Sequence, residues 1–139
     1  MRVFLSAILT SLFVSLPLAA SADVITERQA NFSASGKSLR MIGGAIGEGN
    51  FAFIEAEAAK LAKWADMMPE FFPAGSESPK ASPDIWTEFE QFTQLTADFG
   101  AAARALGEAA ASEDANIAKA KLAEVGQTCK SCHWRYRSR

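Results

Sequence analysis

Both cysteines of this chain and its only histidine fall within five consecutive residues, Cys129-Lys130-Ser131-Cys132-His133. No other feature of the 139 residues limits the fold as strongly. Two cysteines are too few for a disulfide scaffold or a four-cysteine zinc site. One histidine excludes any site that needs two imidazoles from a single chain. The fold must therefore rest on an ordinary apolar core. Composition permits one: 49% of residues are apolar and 22% charged, which is the balance of a globular domain of this length. The formal charge is −2, from 14 basic and 16 acidic residues. Without a basic excess there is no electrostatic footprint for nucleic acid.

Residues 1–22 have the pattern of a secretory signal peptide. Arg2 supplies a positive start, Phe4 to Leu18 an apolar stretch, and Ala20-Ser21-Ala22 the small residues of a cleavage site. A membrane anchor would need a longer apolar run and a basic flank. Cleavage is expected after Ala22, leaving residues 23–139 as an exported domain. In a Gram-negative cell its compartment would be the periplasm.

The rest of the chain carries helical periodicity and scarcely any strand alternation. A first helix is expected from Val24 to Ile46, where Ile25, Phe32, Leu39 and Ile46 recur every seven residues. Gly36 within it should mark a close approach to something bulky. Glu48-Gly49-Asn50 makes the turn. A second helix, Phe51 to Met68, has its stripe at Phe51, Ile54, Ala58, Leu61, Ala65 and Met68, and ends at Pro69. A third starts at Ser82-Pro83-Asp84, an N-cap, a proline and an acid in favoured positions. Its stripe runs through Ile85, Phe89, Phe92, Thr96, Phe99, Ala103 and Leu106 to about Ala111. A fourth begins at Ser112-Glu113-Asp114, with Leu122, Val125, Cys129, Cys132 and Tyr136 on its inner face. Four such helices with mostly short connections predict an all-α, antiparallel, up-down-up-down bundle in a single domain.

The C-x-x-C-H sequence is the signature of c-type haem attachment. Two thiols add across the haem vinyl groups, and the adjacent imidazole is brought under the iron. Cys129 and Cys132 would hold one haem c covalently, with His133 as the iron ligand. Three other readings compete. A thioredoxin-like redox pair belongs at the start of a helix in a βαβ context. A disulfide between two cysteines three apart on one helix staples almost nothing. A zinc site lacks its fourth ligand.

A haem motif at the end of a four-helix bundle resembles the cytochrome c′ family, the class II c-type cytochromes. Arg28-Gln29-Ala30 is similar to that family's Arg-Gln pair near the start of the first helix. Phe71-Phe72-Pro73-Ala74-Gly75 resembles its F-P-x-G loop, Ala81 to Trp86 its entry to the third helix, and Cys129 to Arg137 its ending. The resemblance implies that Arg28 and Gln29 lie near the haem propionates and Asp84 near the haem edge. It also implies that Arg137 stands beside His133 and raises its basicity. Simpler roles exist for two of these, a solvated helix charge for Arg28 and an N-terminal helix acid for Asp84.

The resemblance also places Phe32 opposite His133. Phenylalanine has no lone pair, so Phe32 implies five-coordinate, high-spin iron with an apolar distal face. Met41 lies nine residues further on, about 13 Å along a helix. Met67 and Met68 read as core or loop residues. Such a face would stabilise oxygen poorly and favour NO and CO, suggesting NO binding or detoxification with redox cycling of the iron. The alternative is a low-spin electron carrier of the same compartment. No general base or nucleophile suggests an enzyme. A redox partner is implied but not identified by any charge patch. The resemblance also implies a homodimer, for which Gly43, Gly44, Phe51 and Phe53 offer a face.

Overall fold

The computed structural model of the chain describes residues 18–138. The expected leader lies outside the described residues, apart from its last five positions, which open the first helix. Four long helices, α1 (Leu18–Glu48), α2 (Phe51–Met67), α4 (Phe89–Ala110) and α5 (Ala115–Tyr136), form the antiparallel four-helix bundle. A one-turn helix, α3 (Asp84–Thr87), precedes α4. Each long helix packs on two neighbours: α1 on α2 and α5, and α4 on α2 and α5.

The connections follow from their residues. At the α1–α2 turn, Gly49 adopts φ +68°, a value that costs glycine little. Asn50 N–H then reaches back to Ala45 O at 2.9 Å, and its side chain caps α2 by accepting from Phe53 N–H. Asp114 caps α5, accepting from Asn116 and Ile117 N–H at 2.8 and 3.1 Å. α2 does not stop cleanly at Pro69. It tightens into a 3₁₀ turn, Met68–Phe71, before the long connection.

The core runs through the expected stripes. Ile54, Ala58, Leu61 and Ala65 of α2 meet Phe92, Phe99, Ala103 and Leu106 of α4. The two helices approach closely at Gly100, where a Cβ would come within 3.2 Å of Ala65 Cβ. α1 contributes Ile42 and Ala45, and α5 Val125 and Tyr136.

Two expectations are corrected. The third helix is not continuous from Ser82, because the chain breaks at Glu88 (φ −121°, ψ 38°). Arg135 and Tyr136 of α5 both donate to Glu88 Oε2, at 2.9 and 3.2 Å. The break leaves Phe89, expected inside, 40% exposed. Gly36 marks no packed neighbour, since a Cβ there would meet only Arg40 Nη1 at 3.7 Å; it borders a cavity instead.

Candidate functional site

α5 carries Cys129, Cys132 and His133 to the open end of the bundle, where the α2–α4 connection folds over them. After Tyr136 the chain leaves the helix and pairs with that connection. Ser82 N–H donates to Tyr136 O at 2.9 Å, and Ser138 N–H to Lys80 O at 3.2 Å. This clasp fixes the last turn of α5 against the connection.

Two cavities meet there, sharing Phe32, Cys132 and His133. The larger, about 490 Å³, is bordered by Arg28, Gln29, Phe72, Ser78, Lys80, Ile85, Tyr136 and Arg137 among others. The smaller, about 130 Å³, is lined mainly by apolar groups, including Leu39, Trp64, Met68, Leu95, Phe99 and Cys129. The Phe32 and His133 rings meet edge to face at the junction, with centroids 6.2 Å apart and planes at 62°.

The residues singled out in the sequence thus converge, with one exception. Arg28, Gln29, Phe32, Cys129, Cys132, His133 and Arg137 all border one cavity or the other. Asp84 borders neither; its carboxylate accepts from Ser82 Oγ at 2.9 Å at the start of α3. Arg28 is buried, with 2% exposed. Its Nη1 donates to Phe71 O and Ser76 Oγ, both at 3.0 Å, and its Nη2 to Ser76 O at 2.6 Å and Ser78 Oγ at 3.1 Å. Its guanidinium also lies 4.4 Å from the Phe72 ring centroid. Arg28 therefore moulds the connection that roofs the larger cavity.

Burial sets the charge state of the reactive groups. Burial pushes Cys132 up to about 11, with Cys129 adding to the effect, and burial likewise raises Cys129. Both are neutral thiols at pH 7. Burial, and then the neighbouring Arg137 charge, lowers the His133 pKa. The imidazole is then neutral, with a lone pair free to ligate. This is the reverse of the raised basicity that the resemblance implied for the Arg137 neighbour.

Two contributors, Trp64 and Ser76, escaped sequence reasoning, and a third, Trp86, entered it only as the end of the Ala81–Trp86 motif. Trp64 lies between Leu61 and Met68 on α2, yet it is buried and packs edge-on to Phe32 with centroids 5.5 Å apart. Ser76, fully buried, exists for Arg28. Trp86 Nε1 ties α3 to the roof by donating to Phe72 O and Pro73 O at 3.1 and 3.0 Å. An aromatic on a helical stripe and a serine in a polar loop carry no distinguishing signal before the fold is known.

The comparison with known proteins decides the family: the model of the family described as Cytochrome C′ matches residues 23–137. The chain belongs to the cytochrome c′ family. A cytochrome c′ from Allochromatium vinosum is 30% identical over 125 residues, covering 84% of this chain and 81% of that one. A cytochrome c-556 from Agrobacterium tumefaciens is 32% identical over 110 residues, covering 71% and 89%. The crystal structure of cytochrome c′ from Thermochromatium tepidum superposes with a TM-score of 0.77 at 30% identity, covering 86% of this chain and 97% of that one.

As a cytochrome c′, the chain takes haem c through Cys129 and Cys132. The residues fit such a group. Two neutral thiols and an imidazole border a largely apolar space, and cationic side chains, Lys80 and Arg137, lie at its larger end. That division suits a flat apolar macrocycle with an anionic edge.

Proposed function

We propose that this cytochrome c′ is an exported protein that binds NO and CO at a five-coordinate, high-spin iron held by His133. When bound, the haem supplies a redox-active iron with a vacant coordination position for a diatomic. His133 offers the neutral ring nitrogen that ligates it, and burial, with the Arg137 charge beside it, disfavours protonation of that ring. Phe32 covers the opposite face with a ring that has no lone pair, so ligands must displace it to enter. The observation that carries this reading is the edge-to-face meeting of Phe32 and His133 at the junction of the two cavities. Solved relatives in this fold include a nitric oxide complex of a cytochrome c prime variant from Alcaligenes xylosoxidans, at 25% identity and a TM-score of 0.76. A carbon monoxide complex of another variant from the same source has the same identity and score. They support the ligand class. NO capture with redox cycling of the iron is the task this arrangement suits.

Arg28 holds the roof in this reading, while Gln29, Lys80 and Arg137, on the border of the larger cavity, would meet the propionates. Asp84 stands in the first turn of α3, its carboxylate accepting from Ser82 Oγ. The start of the family match at Asp23 supports cleavage after Ala22 and export. Among the described residues no helix is long and apolar enough to cross a membrane.

The optical spectrum of the purified holoprotein in both oxidation states tests the proposal. A broad high-spin spectrum that shifts on adding CO to the reduced form is expected. A sharp reduced α-band together with a methionine–iron charge-transfer band in the oxidised form would overturn it. Those bands would favour the second reading, a low-spin electron carrier, for which Met68 on the wall of the smaller cavity is the available thioether. Pairing of two copies through Gly43, Gly44, Phe51 and Phe53 is also proposed. A relative whose structure is described as showing ligand-controlled dimer dissociation supports it. Sedimentation equilibrium should give the mass of a dimer; a monomer at micromolar concentration would sink that face.

A further inference from the structure

Trp64 is the one side chain among the described residues whose buried polar atom finds no acceptor among the protein's own atoms. The residue is 7% exposed and stands on the wall of the smaller cavity. Phe32 and Phe71 pack against its indole, at centroid distances of 5.5 and 5.2 Å. Neither offers a carbonyl or hydroxyl from its side chain. The hydroxyls on that wall, of Ser35, Thr96 and Thr128, donate to Asn31 O, Thr93 O and Val125 O, and none of them accepts from Trp64 Nε1. A buried N–H left unpaired costs free energy, and native proteins rarely keep one without a use. The acceptor must come from whatever occupies the cavity.

We infer that the Trp64 indole N–H is a hydrogen-bond donor to the outer atom of a diatomic ligand held between Phe32 and His133. The cavity is small, apolar and free of lysine and arginine side chains. A carboxylate fits the larger cavity, with its Lys80 and Arg137, and not this one. A diatomic whose outer atom gains negative charge on binding fits both the size and the single donor. The sequence implied a distal face with nothing to donate. Trp64 changes that, because a neutral indole can stabilise a polar ligand without admitting water or a second charge. Trp64 is thus a ligand-contact residue that grades diatomics by the charge they accumulate, favouring NO over CO beyond what an all-phenyl face would give.

This inference rests on the gas-binding reading, and the test separates the two. The probe is carbon monoxide on the reduced holoprotein, read by the infrared C–O stretch. Trp64→Phe removes the donor and should move the band to higher frequency. Transfer to heavy water should shift the wild-type band and leave the variant's unmoved. NO should dissociate from the reduced variant about 2- to 10-fold faster, the range one lost neutral hydrogen bond allows. Replacing Trp64 by benzothienylalanine, which keeps the shape and lacks the N–H, should reproduce these shifts even where the phenylalanine variant does not fold. Identical C–O bands with and without the N–H would overturn the inference while leaving gas binding intact. No CO band in the wild type would overturn both.

Discussion

On one side of the Phe32–His133 pair, a guanidinium and a loop of hydroxyls and carbonyls make the wall. On the other, the wall is Leu39, Trp64, Met68, Leu95 and Phe99. The first is shaped by directional bonds, four of them from Arg28. The second is shaped by packing between α1, α2 and α4. Directional bonds fix a loop in one position, which a rim that must meet a charged cofactor edge requires. Packing gives a shape with little directional preference, which suits a chamber that selects small ligands by size. The two walls should respond differently to substitution, and that difference is the means of testing the comparison.

The largest effect is expected at Arg28. Arg28→Ala leaves Phe71 O and Ser76 O without their donor and removes a buried charge from its ring contacts. A loss of about 3 kcal/mol of stability is expected, measured by chemical denaturation of the holoprotein. The C–O stretch of the bound CO should hardly move, because the chamber does not depend on that loop. A large band shift would break the separation of the two walls.

Phe32→Ala should act in the opposite way. The ring is half-buried, so the stability loss should be smaller, about 2 kcal/mol. CO association with the reduced iron should instead accelerate by tenfold or more, measured by flash photolysis. An unchanged rate would mean that Phe32 does not gate the distal face.

Trp86→Phe is expected to cost about 1 kcal/mol, the worth of the indole bond to the Phe72 and Pro73 carbonyls. Its effect should be confined to the rim, seen as faster backbone amide exchange in the connection and no change in CO kinetics.

How much of this the sequence disclosed depends on the range of the interaction. The stripes of the four helices, Phe89 apart, and the Cys129–His133 cluster are local patterns and stand where their residues suggested, whereas the cap of α5 is Asp114, two residues past the Ser112 at which that helix was expected to begin. Phe32 could be placed opposite His133 only through the resemblance, yet the rings do meet. The break at Glu88 could not be seen, because the donors its carboxylate meets there, Arg135 and Tyr136, lie nearly fifty residues away. Arg28 stood out as a charge in the right place, but its partners Ser76 and Ser78 are ordinary loop serines. Trp64 read as one more apolar residue of α2. Its meaning lies in an unpaired N–H, which only the packing around it reveals.

The smallest effect sharpens the comparison through pH. Near the chamber, α1 and α2 are tied by Glu57, whose carboxylate accepts from Ser38 Oγ at 2.6 Å and from Lys60 Nζ at 2.5 Å. The Lys60 and Ser38 hydrogen bonds hold its carboxyl pKa below the ordinary 4.5. A depressed carboxylate contributes stability that is fully present above the unfolded value and lost as pH falls through the folded one. Arg28 keeps its charge throughout that range, so its bonds to the connection have no such dependence. Acid should therefore loosen the chamber side before the rim. Glu57→Gln should lower stability by under about 1 kcal/mol at pH 7. The gap between wild type and variant should close as pH drops below about 4.5, measured by thermal unfolding of the holoproteins from neutral to acid pH. Parallel curves would show that Glu57 does not bear this load, and that the two walls do not differ in their response to acid.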